Sequence, residues 1–202
     1  MSKGEKTMLA KKLWRTMGLY RAQFISMILM IALGIGIFVG FNMEWVSIKT
    51  NTDHFFSETG FADYRIVAKE GFSKEELAKI KALNGVDEAA LYLSVSADLQ
   101  GAAGRAVALC VTTNPKVSGI LVTEGAPYDG EDAQGLWLSD KFAKENSISV
   151  GDELTLVYQN KKLRGTVRGL GKSGEQLICV RDESQLMPDY ETYGFCYVAP
   201  AL

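Results

Sequence analysis

A single histidine, His54, occurs in the whole chain, with Asp53 beside it. One imidazole without a cluster of cysteine or histidine partners makes no metal site, and its isolation leaves Ser/His or Cys/His catalysis without a base. Cysteine is nearly as scarce. Cys110, Cys179 and Cys196 stand far apart and in no C-x-x-C spacing, which allows at most one disulfide and a leftover thiol. Each falls in an apolar run that reads as a strand (106–111, 177–180, 195–198), and buried thiols acting as small hydrophobes fit best. A phosphate loop is missing as well. Gly169-Leu170-Gly171-Lys172-Ser173-Gly174 comes near one, but G-x-x-x-x-G-K-S/T demands glycine where Thr166 stands. No helix signature follows Ser173 to hold phosphate at a helix N-terminus. The adjacent acids Glu75-Glu76, Glu131-Asp132 and Asp182-Glu183 lie near element ends or in loops and read as solvated charge. No catalytic residue, cofactor or metal is expected.

Excess positive charge is also lacking. The chain carries 22 bases and 24 acids over 202 residues. Six of the bases (Lys3, Lys6, Lys11, Lys12, Arg15, Arg21) and one acid (Glu5) fall in residues 1–21, so the remainder holds 16 bases against 23 acids. An acidic body argues against nucleic acid as a partner. No low-complexity segment and no close internal repeat appears.

The most telling absence is of charge itself between Ala22 and Met43, which read AQFISMILMIALGIGIFVGFNM. At a rise of ~1.5 Å per residue this stretch makes a helix of ~33 Å, matched to a hydrocarbon core of ~30 Å. Only Gln23, Ser26 and Asn42 are polar, so no polar stripe marks a soluble core helix. The run is longer than the usual signal-peptide core and no Ala-x-Ala-like site follows it, so an uncleaved span is expected. The basic flank predicts an N-terminus inside and everything after Met43 outside. Leu9, Leu13, Met17 and Tyr20 at helical spacing predict an amphipathic elbow in the inner interface. Lys11, Lys12, Trp14, Arg15, Arg21 and Trp45 are the expected membrane-interface residues. Ala32, Gly36 and Gly40, four apart, form a small-residue face suited to another helix.

Beyond the span, Trp45, Ile48, Thr52, Phe55 and Phe56 extend the helical rhythm to Thr59, where Gly60 can end it. Tyr64–Ala68 alternates as a strand. Ser73-Lys74-Glu75-Glu76 is a capping box opening a helix whose Leu77, Ile80 and Leu83 are expected to face a core. Strands are predicted at 86–99, 105–112, 120–122, 136–138, 153–158, 163–170, 176–181 and 194–198, with a helix from Ser139 to about Asn146. The 153–170 pair reads as a hairpin around Gln159-Asn160-Lys161. The resulting class is α+β, mixed or antiparallel strands with short helices on one transmembrane helix that continues into a stalk.

Several of these motifs together resemble the permease subunits of the MacB/FtsX type in ATP-binding-cassette transport systems. Leu13-Trp14-Arg15 and Arg21 before Ile31–Gly40 are similar to the family's basic elbow and Gly-containing first span, and Gly85-Val86 to a strand start after a capped helix. Leu136-Trp137-Leu138-Ser139-Asp140-Lys141-Phe142-Ala143, then Val150-Gly151-Asp152-Glu153-Leu154-Thr155-Leu156 and Thr166-Val167-Arg168-Gly169-Leu170, resemble the core-domain order of short strand, small helix and hairpin. The resemblance implies a cytoplasmic ATPase partner, contact with other permease transmembrane helices or a second permease copy, and three further spans. It divides the chain into an elbow (1–21), a span (22–43), a stalk (44–60) and an incomplete extracytoplasmic core domain (61–202). The substrate is not implied. The alternative is a single-pass anchored module that binds a ligand or senses outside the cell.

Overall fold

The structure, a computed structural model, describes residues 3–182 and 184–200. Glu183 of the third acid pair, and residues 1–2 and 201–202 at the ends of the expected elbow and core domain, lie outside the described residues. So do the side chains of residues 3–7, 9 and 10, among them Lys3, Lys6 and Leu9.

Two compact units divide the chain, Met1–Thr52 and Asp53–Leu202. The first is helical. Helix α1 covers Lys3–Leu19; α2 runs unbroken from Arg21 to Thr59, so its last turns belong to the second unit. The two helices are divided at Tyr20, whose carbonyl accepts from Gln23 N (3.0 Å) and Phe24 N (3.2 Å). The most apolar window of α2 is 0% buried. Among the described residues α2 is the one helix long and apolar enough to cross a membrane.

The second unit is built on a seven-stranded mixed sheet. In chain order its strands are β1 (Tyr92–Leu99), β2 (Ala106–Thr112), β3 (Leu121–Gly125), β4 (Gly135–Ser139), β5 (Glu153–Tyr158), β6 (Lys161–Lys172) and β7 (Tyr193–Val198). Two short helices join them, α3 (Lys74–Lys81) and α4 (Asp140–Glu145). The spatial order is β3-β6-β4-β7-β2-β1-β5, and β5 also pairs with β6. That extra pairing closes β6, β4, β7, β2, β1 and β5 into a ring, with β3 added beside β6. β2–β7 and β4–β6 are parallel; the other pairs are antiparallel. The long β6 makes this possible, pairing with β5 through Lys161–Thr166 and with β3 through Gly169–Lys172.

Strand alternation sorts the core into two faces. Val107, Leu109, Leu136, Leu138, Val167, Cys196 and Val198 fill one, with Phe142 and Ala143 of α4 packed among them. Ser139 caps α4, its hydroxyl accepting from Phe142 N. Ala106, Ala108, Cys110, Trp137, Phe195 and Tyr197 form the other, covered by Cys179 and Tyr128 from loops. Tyr128 meets Trp137 edge-on at 4.8 Å and donates to the Val198 carbonyl (3.1 Å), and Trp137 Nε1 donates to Ala126 O (3.0 Å). Both rings thus bury their area with their polar atoms satisfied.

Four sequence expectations need correction. Tyr64–Ala68 forms no strand and joins no ladder. The strand expected from Val86 starts only at Tyr92. The run 176–181 is a loop: Cys179 points into the core while Leu177 and Ile178 stay exposed, which the alternation of a paired strand does not produce. Finally, the capping box at Ser73 and Glu76 forms, but no residue of α3 is buried, so its apolar side faces no core.

Candidate functional site

The end of α2 is fastened to the sheet domain by a network of hydrogen bonds. Gly60 sits at φ +60°, the left-handed conformation that terminates helices. Phe61 N donates to Phe56 O (2.9 Å) and Gly60 N to Ser57 O (3.3 Å), the paired bonds of a Schellman cap. The apolar contact that accompanies such a cap is also present, with the Phe61 ring stacked on Phe56 at 4.6 Å. Thr59 is buried and its hydroxyl donates back to Phe55 O (2.9 Å).

Two carbonyls left over at the helix end then reach the loop after β2. Gly119 N donates to Thr59 O (2.9 Å), and Ser118 N donates to Gly60 O (2.7 Å). That loop is itself preset: Asn114 Oδ1 accepts from Lys116 N (3.1 Å), and Asn114 O accepts from Val117 N (3.0 Å). On the far side Tyr197 of β7 donates its hydroxyl to Ser118 O (3.0 Å) and lies 2.8 Å from Ser173 Oγ. The Ser173 proton serves either that phenol or Gly119 O at 3.2 Å. Next along, Gly174 lets the chain pass close to the helix end; a Cβ there would lie 2.7 Å from Thr59 Oγ1.

Glu175 completes the joint. Its side chain is 6% exposed and accepts from Ser118 Oγ (2.7 Å) and Ala62 N (3.4 Å), and it pairs with Arg65. The Arg65 guanidinium also lies over the Tyr92 ring, 5.2 Å from its centre. The Tyr92 hydroxyl donates to Cys110 Sγ (3.2 Å) and accepts from Gln176 Nε2 (3.3 Å). Burial pushes the Cys110 thiol up to about 11 and the Cys179 thiol up to about 12, and raises the Tyr92 and Tyr197 hydroxyls as well. All four therefore stay neutral near pH 7, as fixed donors and fillers rather than nucleophiles.

The sequence-derived residues lie elsewhere. Lys11, Lys12, Trp14 and Arg15 are exposed on α1; Arg21, Ala32, Gly36, Gly40 and Trp45 are exposed on α2. A Cβ added at Gly36 or Gly40 would meet nothing within 4 Å. His54 pairs with Glu58 one turn on (3.2 Å) in the open. Among the described residues no three His, Cys, Asp or Glu side chains converge where a metal ion could be held. A shallow open groove of about 500 Å³ has Lys141 and Lys144 beside Glu124 and Asp140, mixed charges that select no one ligand. Sequence reasoning found Gly60 but missed Ser118, Ser173, Glu175 and Tyr197, which are brought together only by the fold. The Phe56–Phe61 spacing around Gly60 was the one local signal available.

No protein-family model matches this chain, and no curated protein matches it. Among solved structures, its fold is similar to the extracellular domain of YknZ, a noncanonic ABC-type transporter from Gram-positive bacteria. The likeness has 15% sequence identity and a TM-score of 0.45, and covers 65% of this chain and 64% of that one. The chain thus spans less than two thirds of the length of that domain.

Proposed function

We propose that the chain is the N-terminal part of a membrane permease subunit of an ABC transport system of the MacB/FtsX type. In this reading α2 crosses the membrane with its N-terminus in the cytoplasm and carries its sheet domain outside. A separate cytoplasmic ATPase hydrolyses ATP, and movement of α2 passes through the joint to drive extrusion of a substrate. The observation that carries the reading is one unbroken helix, apolar from Ala22 to Met43, whose far end is pinned by Thr59 and Gly60 carbonyls to the loop at Ser118 and Gly119. A helix held only by a flexible linker would pass no movement on. The order of the elbow, core-domain strand and hairpin motifs supports the family within that architecture. Ala32, Gly36 and Gly40 give α2 a face for further permease helices or a second copy.

Isolation of the tagged protein from its native membranes in mild detergent tests this. Recovery of a cytoplasmic ATPase with further transmembrane segments is the expected result. The second reading is a single-pass anchored binding or sensor module, whose one requirement of a membrane helix α2 also meets. Recovery of the chain without any ATPase would establish that reading instead.

A further inference from the structure

Three features of the sheet domain are left incomplete at one place. The first is the outer edge of β1. Leu91 O accepts from Thr113 N (3.1 Å) and Leu99 N donates to Arg105 O (2.9 Å), so odd-numbered residues of β1 turn their amides to β2 and even-numbered ones turn outward. The outward side meets β5 only at Asp98 and Leu99; from Tyr92 to Ala97 no strand adjoins it. This stretch, Tyr-Leu-Ser-Val-Ser-Ala, has no charge and no proline, the usual guards of a free edge. The second is Tyr64–Ala68, alternating like a strand yet unpaired, with Tyr64 90% and Val67 84% exposed. The third is α3, capped at both ends, amphipathic, and burying none of its residues.

We propose that Tyr64–Ala68 is a strap that closes onto the open edge of β1 as a parallel strand, making a β-α-β unit with α3 as its crossover. The strap is already moored at the right level. Arg65 lies over Tyr92 and pairs with Glu175, which sets Arg65 beside Tyr92 on one face of the sheet. In that register Ile66 stands beside Leu93 on the opposite face, and both are large apolar side chains now more than half exposed. Residues 69–91 exceed the dozen or so that a parallel crossover needs, and such a crossover lays its helix on one face of the strands it joins. Leu77 and Ile80 of α3 then gain Ile66 and Leu93 to pack against. One closure satisfies the edge amides, the strap and the helix together. It depends on the sheet domain alone, so its failure leaves the membrane reading untouched.

Residue-resolved hydrogen exchange on the full chain in lipid nanodiscs tests the proposal, with Ile66→Pro and Ala68→Pro as the strap-breaking variants, each removing an amide that the parallel register turns toward β1. Both positions are exposed, and unchanged exchange of the β2 amides shows that the domain stays folded. The Ser94 and Ser96 amides are expected to exchange at least roughly tenfold more slowly in the native chain than in either variant. Fast exchange at Ser94 and Ser96 in all three proteins overturns the proposal. Protection that survives both prolines overturns it as well, and its dependence on protein concentration would assign the edge to a second copy.

Discussion

Glu175 has the environment of a structural carboxylate: nearly out of solvent, with two neutral donors and one guanidinium. Arg65 is half exposed, so the ion pair itself contributes little, under about 1 kcal/mol. The Ser118 hydroxyl and the Ala62 amide lose their acceptor if the carboxylate is removed, and that is the larger cost. Glu175→Ala is therefore expected to destabilise the sheet domain by about 2 kcal/mol, and Glu175→Gln, which still accepts, by less than about 1 kcal/mol. Urea midpoints followed by near-UV circular dichroism check both, and equal losses would show that the ion pair dominates. Cys110 sets a second expectation. Its thiol is raised above the ordinary value of 9.0 by burial, to about 11. Below pH 9 it is neutral in both folded and unfolded chains; between pH 9 and 11 the unfolded chain ionises first, so stability falls as pH rises. Calorimetry over that range should give a shallower fall for Cys110→Ala than for the native chain. Identical slopes would mean that the thiol titrates normally in the fold.

At the scale of elements, what was readable in the sequence was local. The β5–β6 hairpin was legible from its alternation and from Gln159-Asn160, which take φ of 46° and 65°, as a two-residue type I′ turn requires. Gln159 is a poor occupant of that conformation. Gln159→Asn is expected to stabilise the domain by about 0.5 kcal/mol, and an unchanged urea midpoint would show that the turn is not under strain. The caps at Ser73, Ser139 and Gly60 were equally legible, because each is written within six residues. Which runs find a ladder was not. Tyr64–Ala68 and 176–181 have strand-like composition as good as that of β7, but pairing depends on neighbours distant in sequence, and β2 takes β7 as its parallel partner across more than 80 residues. The joint was hidden for the same reason. On α2, replacing Gly36 and Gly40 together with Leu should fill the small-residue face and, on the proposed function, reduce cross-linking to partner transmembrane helices several-fold. Undiminished cross-linking would assign assembly to another surface.

For the whole molecule, the uneven distribution of charge is the main clue to orientation. Basic residues crowd residues 1–21, and acids outnumber bases by seven in residues 22–202. Retention of positive charge on the cytoplasmic side is the argument for the proposed topology. The three native thiols are buried, so they contribute little background to labelling of an introduced cysteine. Exposed positions on either side of the span, Lys11 and Gln159, can therefore be replaced by cysteine singly and treated with a membrane-impermeant maleimide on intact cells. Labelling of Gln159→Cys in intact cells, with Lys11→Cys labelled only after permeabilisation, is the predicted result. The reverse pattern would contradict it and remove the transporter reading.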